Sequence, residues 1–459
     1  MFKEHIMRKK DEMIRDLENI IKIPSKLEGY DNPEYPFGKN IDDVLNEFLK
    51  IGKKLGFRTK NVDKYCGYIE FGEGEELLGI VGHLDVVPEG EGWTYPPFEL
   101  TNINDVLYGR GTIDDKGPMI ASLYAMKVIM DNCKVNKRVR LIVGLNEENN
   151  WKCIDYYKEH EELPTLGFSP DADFPCIYAE KALLTVFVSG KYSENEKINI
   201  KKFDCKDNRI NVVPKYCSCT ILVAEEYADD VRKFLTEKLS EDISFTKKNN
   251  EFYIESRGIQ AHAAHPELGK NAVSQMVMLL NEMFNYFGIE EQTIKALATK
   301  VRNETNGKSL DIRHEDKELG DLTLNLANIE IEDEIIKAGM NLRIPGSCDI
   351  EDIKRKIEQG FNGFNIEFSG ENKALYIPKD NELIRILCRI YNDYTGEAKE
   401  PIAIGGATFA RAFNNCVSFG AMRADEPDMC HQVDEYITMK NLIDACNMYA
   451  LAIYELAVK

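Results

Sequence analysis

Up to about residue 180 the chain alternates strand-like and helix-like segments, and this alternation leaves few folds open. Two apolar runs of strand length stand out, LLGIVGHL (Leu77–Leu84) and RVRLIVGL (Arg138–Leu145). GYIEFG is also strand-like, and LGFSPD holds a shorter strand. Between the two apolar runs lies KGPMIASLYAMKVIMDNC, which reads as a helix, and DDVLNEFLKIGKKLG reads as another with a stop at Gly56. The N-terminal segment predicts an amphipathic helix with Ile14, Leu17 and Ile21 on one stripe. Such alternation predicts an α/β layer with a largely parallel central sheet.

The texture changes near Lys181. LLTVFVSGKY, YCSCTILVA and NEFYIES have strand period, EEYADDVRKFLTEKL and GKNAVSQMVMLLNEMFNYF are helical, and the segment from Leu322 to Gly346 reads as a strand pair. This is an α+β insert running to about Leu375. A helix in NELIRILCRIYNDYTGE, a strand in CVSFGAMR and a final helix in TMKNLIDACNMYALAIYELAV then resume the first pattern.

Composition narrows the function classes. At 459 residues, with 43% hydrophobic and 30% charged, the chain is long enough for two or three domains. A net charge of −20 argues against nucleic acid and anionic membrane as partners. No apolar stretch is long enough to span a bilayer, and the N-terminal segment lacks the apolar core of a signal peptide. The twelve cysteines form no CxxC pair, which predicts reduced, mostly buried thiols and a cytoplasmic protein.

His83 and Asp85 stand two residues apart where the first apolar run ends, so they point the same way. Glu147 and Glu148 follow the second run, Asp171 follows LGFSP, and His431 lies in the loop after CVSFGAMR. Ligands bind at this carboxyl edge of open α/β sheets. Asp114 and Asp115 lie in a glycine-bounded turn, LYGRGTIDDKGP, that leads into a helix. Taken singly, each feature has an ordinary reading: a satisfied histidine, a solvated acidic pair, a helix N-terminus. Taken together, two imidazoles and three carboxylates suit two divalent ions sharing one carboxylate. The donors fit zinc, manganese or cobalt. Of two adjacent glutamates, one can ligate while the other takes a proton from water.

Six ordered motifs, GHLDVVPEGEGW, LYGRGTIDDKGP, GLNEENNW, FSPDADFP, GIQAHAAHPELGKNA and MCHQVDE, resemble those of the co-catalytic (di-zinc) metallopeptidase family. That family includes carboxypeptidase G, the aminoacylases and succinyl-diaminopimelate desuccinylase. The likeness is greatest to its PepV-like (Sapep-like) bacterial dipeptidases. The resemblance implies that His83, Asp114 and Asp171 hold one ion, and that Asp114, Glu148 and His431 hold the other. It implies Asp85 as the residue holding the His83 ring, Glu147 as general base, and a cis peptide between Asp114 and Asp115. It makes His262 an oxyanion donor. Arg343 and Asn211 would bind the substrate carboxylate, and Gly406 and Thr408 belong to a substrate-binding loop, GGATFAR.

The implied architecture is a zinc-peptidase-like catalytic domain from residues 1–181 and 377–459, with an inserted α+β lid at 182–376. The implied activity is hydrolysis of dipeptides by a monomer carrying two zinc or manganese ions. The alternatives are an amidohydrolase acting on N-acyl amino acids, of aminoacylase or desuccinylase type, and a catalytically silent metal-binding protein.

Overall fold

The apolar runs form the centre of a mixed sheet. In the computed structural model, which describes residues 2–30, 32–206 and 209–459, Leu77–His83 is buried along its whole length. It pairs in parallel with Arg138–Gly144 on one side and Leu166–Ser169 on the other. Burial on both faces explains why both long strands read as continuous apolar runs rather than as alternating patterns. Cys416–Ser418 adds a further parallel strand beside Leu166–Ser169. Beyond this parallel centre the sheet is antiparallel, through Cys66–Phe71 and Arg58–Val62 on one side and Ile177–Glu180 on the other.

Two compact units divide the chain. The first comprises Met1–Ala179, Tyr376–Ile402 and Thr408–Lys459; the second comprises Glu180–Leu375 and Ala403–Ala407. In the first, the almost wholly buried helix Lys116–Asn132 packs between the N-terminal helix Lys3–Ile21 and the C-terminal helix Met439–Ala457. The stripe buried by the N-terminal helix is Ile6, Met13, Leu17, Ile20 and Ile21, so Ile14, placed on it by sequence, lies at its half-buried margin. The ammonium of Lys116 caps the end of that helix, donating to the carbonyls of Ile20 at 2.9 Å and Ile23 at 2.8 Å. The stop after Lys39–Lys54 is as read: Gly56 takes φ +96°, a region open to glycine.

The second unit holds two four-stranded sheets, both antiparallel throughout. One runs Thr323–Glu332, Ile335–Ile344, Ala182–Lys191, Asn365–Asn372, and the other Ile198–Asp204, Tyr216–Val223, Glu251–Arg257, Ile243–Lys248. Their inner faces and the helices Ala272–Phe287 and Gln292–Lys300 share one apolar core. The short return Ala403–Ala407, which the sequence reading leaves with the catalytic domain, groups with this unit. Among the described residues no helix is long and apolar enough to cross a membrane.

Candidate metal centre

Parallel pairing sets the chemistry along one edge of the first unit. His83 ends its strand opposite Gly144, so the Glu147–Glu148 turn begins just beyond the same edge. Asp171 follows the neighbouring strand, which ends at Ser169. Asp114 and His431 arrive by another route. A small antiparallel sheet pairs Val106–Tyr108 with Tyr436–Thr438, which draws together the segments on either side of residues 109–115 and 430–435.

Five side chains converge there as two clusters with one member in common. His83, Asp114 and Asp171 form one, and Asp114, Glu148 and His431 the other, with ligand atoms within 4.8 Å of one another in each. His83 Nε2 stands 3.1 Å from Asp114 Oδ1 and 3.5 Å from Asp171 Oδ2. His431 Nε2 stands 3.1 Å from Asp114 Oδ2 and 3.0 Å from Glu148 Oε2. The two oxygens of Asp114 therefore face different histidines. The Asp114–Asp115 peptide is cis, as the resemblance implies.

The donor set fits divalent cations. His83 Nε2 is buried with no hydrogen-bond partner although carboxylates face it. Burial, then the charge of Asp114, pushes Glu148 up to about 7. Burial also pushes Glu147 well above the usual carboxylate range, and Asp171 above it. Burial would lower His431, but Glu148 and Asp114 outweigh it and raise the imidazole to about 11. Four carboxylates in one pocket repel one another, and a divalent cation among them relieves that repulsion.

Asp85 makes two kinds of contact at this site. The nearest atom to His83 Nδ1 is the Asp85 backbone carbonyl at 3.0 Å, with the side-chain oxygen at 3.4 Å. The carboxylate accepts the backbone N–H groups of Glu147 and Glu148, each at 3.1 Å. Asp85 thus fixes the imidazole and the glutamate pair together. Asp115 accepts the backbone N–H of His83 at 3.1 Å, close enough that a Cβ on Gly82 would lie 2.1 Å from its Oδ2. That packing, invisible in sequence, requires glycine at Gly82.

Sequence reasoning missed Glu435 and Trp151 as supports. The Trp151 indole N–H donates to the Glu147 carbonyl at 2.9 Å, and its ring meets the edge of Phe409, which in turn faces His83. An aromatic residue just after the glutamate pair was the available signal, and an acid four residues after His431 was the other.

The second unit carries four of the remaining candidates and brings them together. Val212 pairs with His262, and the Asn211 carbonyl accepts the Ala263 N–H at 2.9 Å. His262 is exposed and its Nδ1 accepts the Ala264 N–H at 3.3 Å, which leaves the proton of the neutral ring on Nε2 as a donor. Arg343 is buried, with Nε donating to Asn341 Oδ1 at 3.0 Å and Nη1 to the Gly405 carbonyl at 3.1 Å. Gly405 packs on Ala264, so Gly406 lies next to the same group. Thr408 belongs to the first unit. Its hydroxyl pairs with Ser418 of the neighbouring strand at 2.7 Å and caps the short helix Phe409–Ala412.

Comparisons with known proteins point the same way. The sequence pattern of Peptidase family M20/M25/M40 matches residues 79–455. A Bacillus subtilis (strain 168) protein named "Putative dipeptidase YtjP" is 35% identical over 467 residues, covering 98% of each chain. A Staphylococcus epidermidis protein named "Putative dipeptidase" is 35% identical over all of both chains. Among solved structures, human carnosine dipeptidase 1 superposes with a TM-score of 0.62 at 14% identity, over 99% of this chain and 97% of that one. The Saccharomyces cerevisiae di-peptidase Dug1p does so with a TM-score of 0.60 at 12% identity, over 98% and 97%. These two establish a shared fold. With the family pattern spanning most of its length and relatives this similar end to end, the chain belongs to peptidase family M20/M25/M40 and is a peptide-bond hydrolase.

Proposed function

We propose that this peptidase cleaves dipeptides using two divalent ions, zinc or manganese, with cobalt able to substitute. The observation that carries the reading is the sharing of Asp114 between two three-residue clusters. His83, Asp114 and Asp171 would hold one ion, and Asp114, Glu148 and His431 the other. When bound, the ions polarise the scissile carbonyl and bring the pKa of water down to about 7.

The remaining steps belong to the protein. Glu147, raised by burial and held through its backbone by Asp85, takes the proton of the attacking water and passes it to the leaving amine. His262 donates from Nε2 to the developing oxyanion. Arg343, locked by Asn341 and Gly405, binds the substrate carboxylate with Asn211. Backbone donors at Gly406 and Thr408 complete the recognition loop. The second unit acts as a lid domain on a monomeric enzyme. Twelve free cysteines, most of them buried, fit a reducing cytoplasm.

The test is a substrate panel. Chelator-treated protein receives zinc or manganese singly and is offered free dipeptides, amidated dipeptides and N-acyl amino acids. Metal-dependent cleavage of free dipeptides is the expected result. Cleavage confined to N-acyl amino acids would replace this reading with an amidohydrolase, and inertness toward all of them would leave a silent metal-binding protein.

A further inference from the structure

The motif HQVDE supplies more than a histidine. The carboxylate of Glu435 is fully buried, and donors from one short segment converge on it. The N–H of Gly111 reaches its two oxygens at 3.0 and 2.9 Å. The N–H groups of Ile113 and Asp114 reach Oε1 at 2.9 and 3.2 Å. Arg110, itself 1% exposed, donates from Nη1 to Oε2 at 2.7 Å. The backbone joins in, since the Gly109 N–H donates to the Glu435 carbonyl at 2.9 Å.

Successive backbone N–H groups aimed at one point make an anion nest of the kind that binds phosphate. Here a side chain from a distant segment fills it. The nest closes around Gly111, whose φ of +91° favours glycine. A buried carboxylate is costly unless it is paired and hydrogen-bonded, and Glu435 is both.

Both ends of this contact lead to the metal centre. Asp114, at one end, is the carboxylate common to the two clusters. His431 stands four residues before Glu435 and has φ +65°, while Asp434 has φ +55°. That conformation is uncommon outside glycine, although Asp and His adopt it more readily than most residues. Asp434 is held by the N–H of Thr94, which donates to Oδ1 at 2.7 Å, and Glu435 is held by the nest.

We infer that Glu435 is a positioning residue: it sets Asp114 between the two half-sites and fixes the distance from Asp114 to His431. The inference rests on the metallopeptidase reading. It predicts that the second ion, the one using His431, depends on a side chain that ligates nothing. A residue serving the fold alone would change stability and leave the two ions equivalent to those of the unaltered protein.

The probe is Mn²⁺ alone, added to chelator-treated full-length protein. Bound ions are counted by elemental analysis after desalting. The electron paramagnetic resonance spectrum distinguishes an exchange-coupled pair from isolated ions. Unaltered protein is expected to bind two ions per chain with a coupled spectrum. Glu435→Gln keeps the shape and gives up the charge. It is expected to bind the second ion about 10- to 100-fold more weakly, the range typical of groups that orient ligands, and to show isolated ions. Glu435→Asp keeps the charge but draws the carboxylate back, and it carries the same test if the Gln variant does not fold. Two ions bound with unaltered affinity and coupling in a folded variant would overturn the inference alone. Failure of the unaltered protein to bind two ions would overturn the metallopeptidase reading and this inference with it.

Discussion

The Asp85 carboxylate accepts the backbone N–H of Glu147 at 3.1 Å, so the residue beside one candidate ligand also positions the candidate base. Replacing Asp85 by Asn leaves the shape but turns an N–H donor toward one of the two N–H groups it now accepts. Asp85→Asn should therefore lower both metal affinity and kcat, each by about 10- to 100-fold. Metal titration and steady-state kinetics on one preparation check this. A fall in kcat with unchanged metal affinity would show that the His83 ring depends on the Asp85 backbone carbonyl and not on its carboxylate.

Glu147 and Glu148 are neighbours with different surroundings. Only Glu148 faces His431, at 3.0 Å. Glu147→Ala should retain both ions and lose about 10²- to 10⁴-fold in kcat, the range for a general base. Glu148→Ala should lose an ion. Elemental analysis beside kinetics separates the two, and full turnover by metal-loaded Glu147→Ala would exclude that residue as the base.

Arg343 is held from two sides before any substrate arrives. Arg343→Ala should reduce kcat/KM for free dipeptides by about 10- to 100-fold, the worth of a charge-assisted hydrogen bond. It should also narrow the preference for a free dipeptide over its amide. An unchanged free-to-amide ratio would place the carboxylate elsewhere.

Metal removal should be visible in stability. Ions that bind only the folded site stabilise it by about 2.7 kcal/mol at a hundredfold excess over Kd. Scanning calorimetry of chelator-treated protein should therefore show an unfolding transition that rises with added Mn²⁺ or Zn²⁺. In Asp114→Asn, which weakens the residue common to both clusters, that rise should shrink markedly. A transition indifferent to both ions would count against a metal centre.

Much of the fold was legible because its strongest signals are local. Continuous apolar runs marked Leu77–His83 and Arg138–Gly144, and the helix Lys116–Asn132 stood between them. Of the five clustered residues, His83, Glu148 and Asp171 were legible for the same reason, since strand ends on one edge of a parallel sheet are close in space, whereas Asp114 and His431 are drawn in by the small antiparallel sheet and stood out only through their motifs. The supports were not. Glu435 matters through N–H groups lying more than three hundred positions earlier, and no periodicity reports such a contact. Gly82 is glycine because of Asp115, and Lys116 spends its charge on the end of another helix. The Ile14 margin has a similar cause: neighbouring helices, not the helix's own pattern, choose which stripe is buried.

The pairing of Val106–Tyr108 with Tyr436–Thr438 bears on the order of synthesis. A chain emerging from the ribosome has made His83, Asp114 and Asp171 long before it makes His431 and Glu435, so neither half of the site is complete until the C-terminal segment folds back. Peptide cleavage must wait until the last strand is released and folds back. A chain ending before Cys430 would lack His431, Glu435 and the strand that draws residues 109–115 to the site, and should neither hold two ions nor hydrolyse peptides.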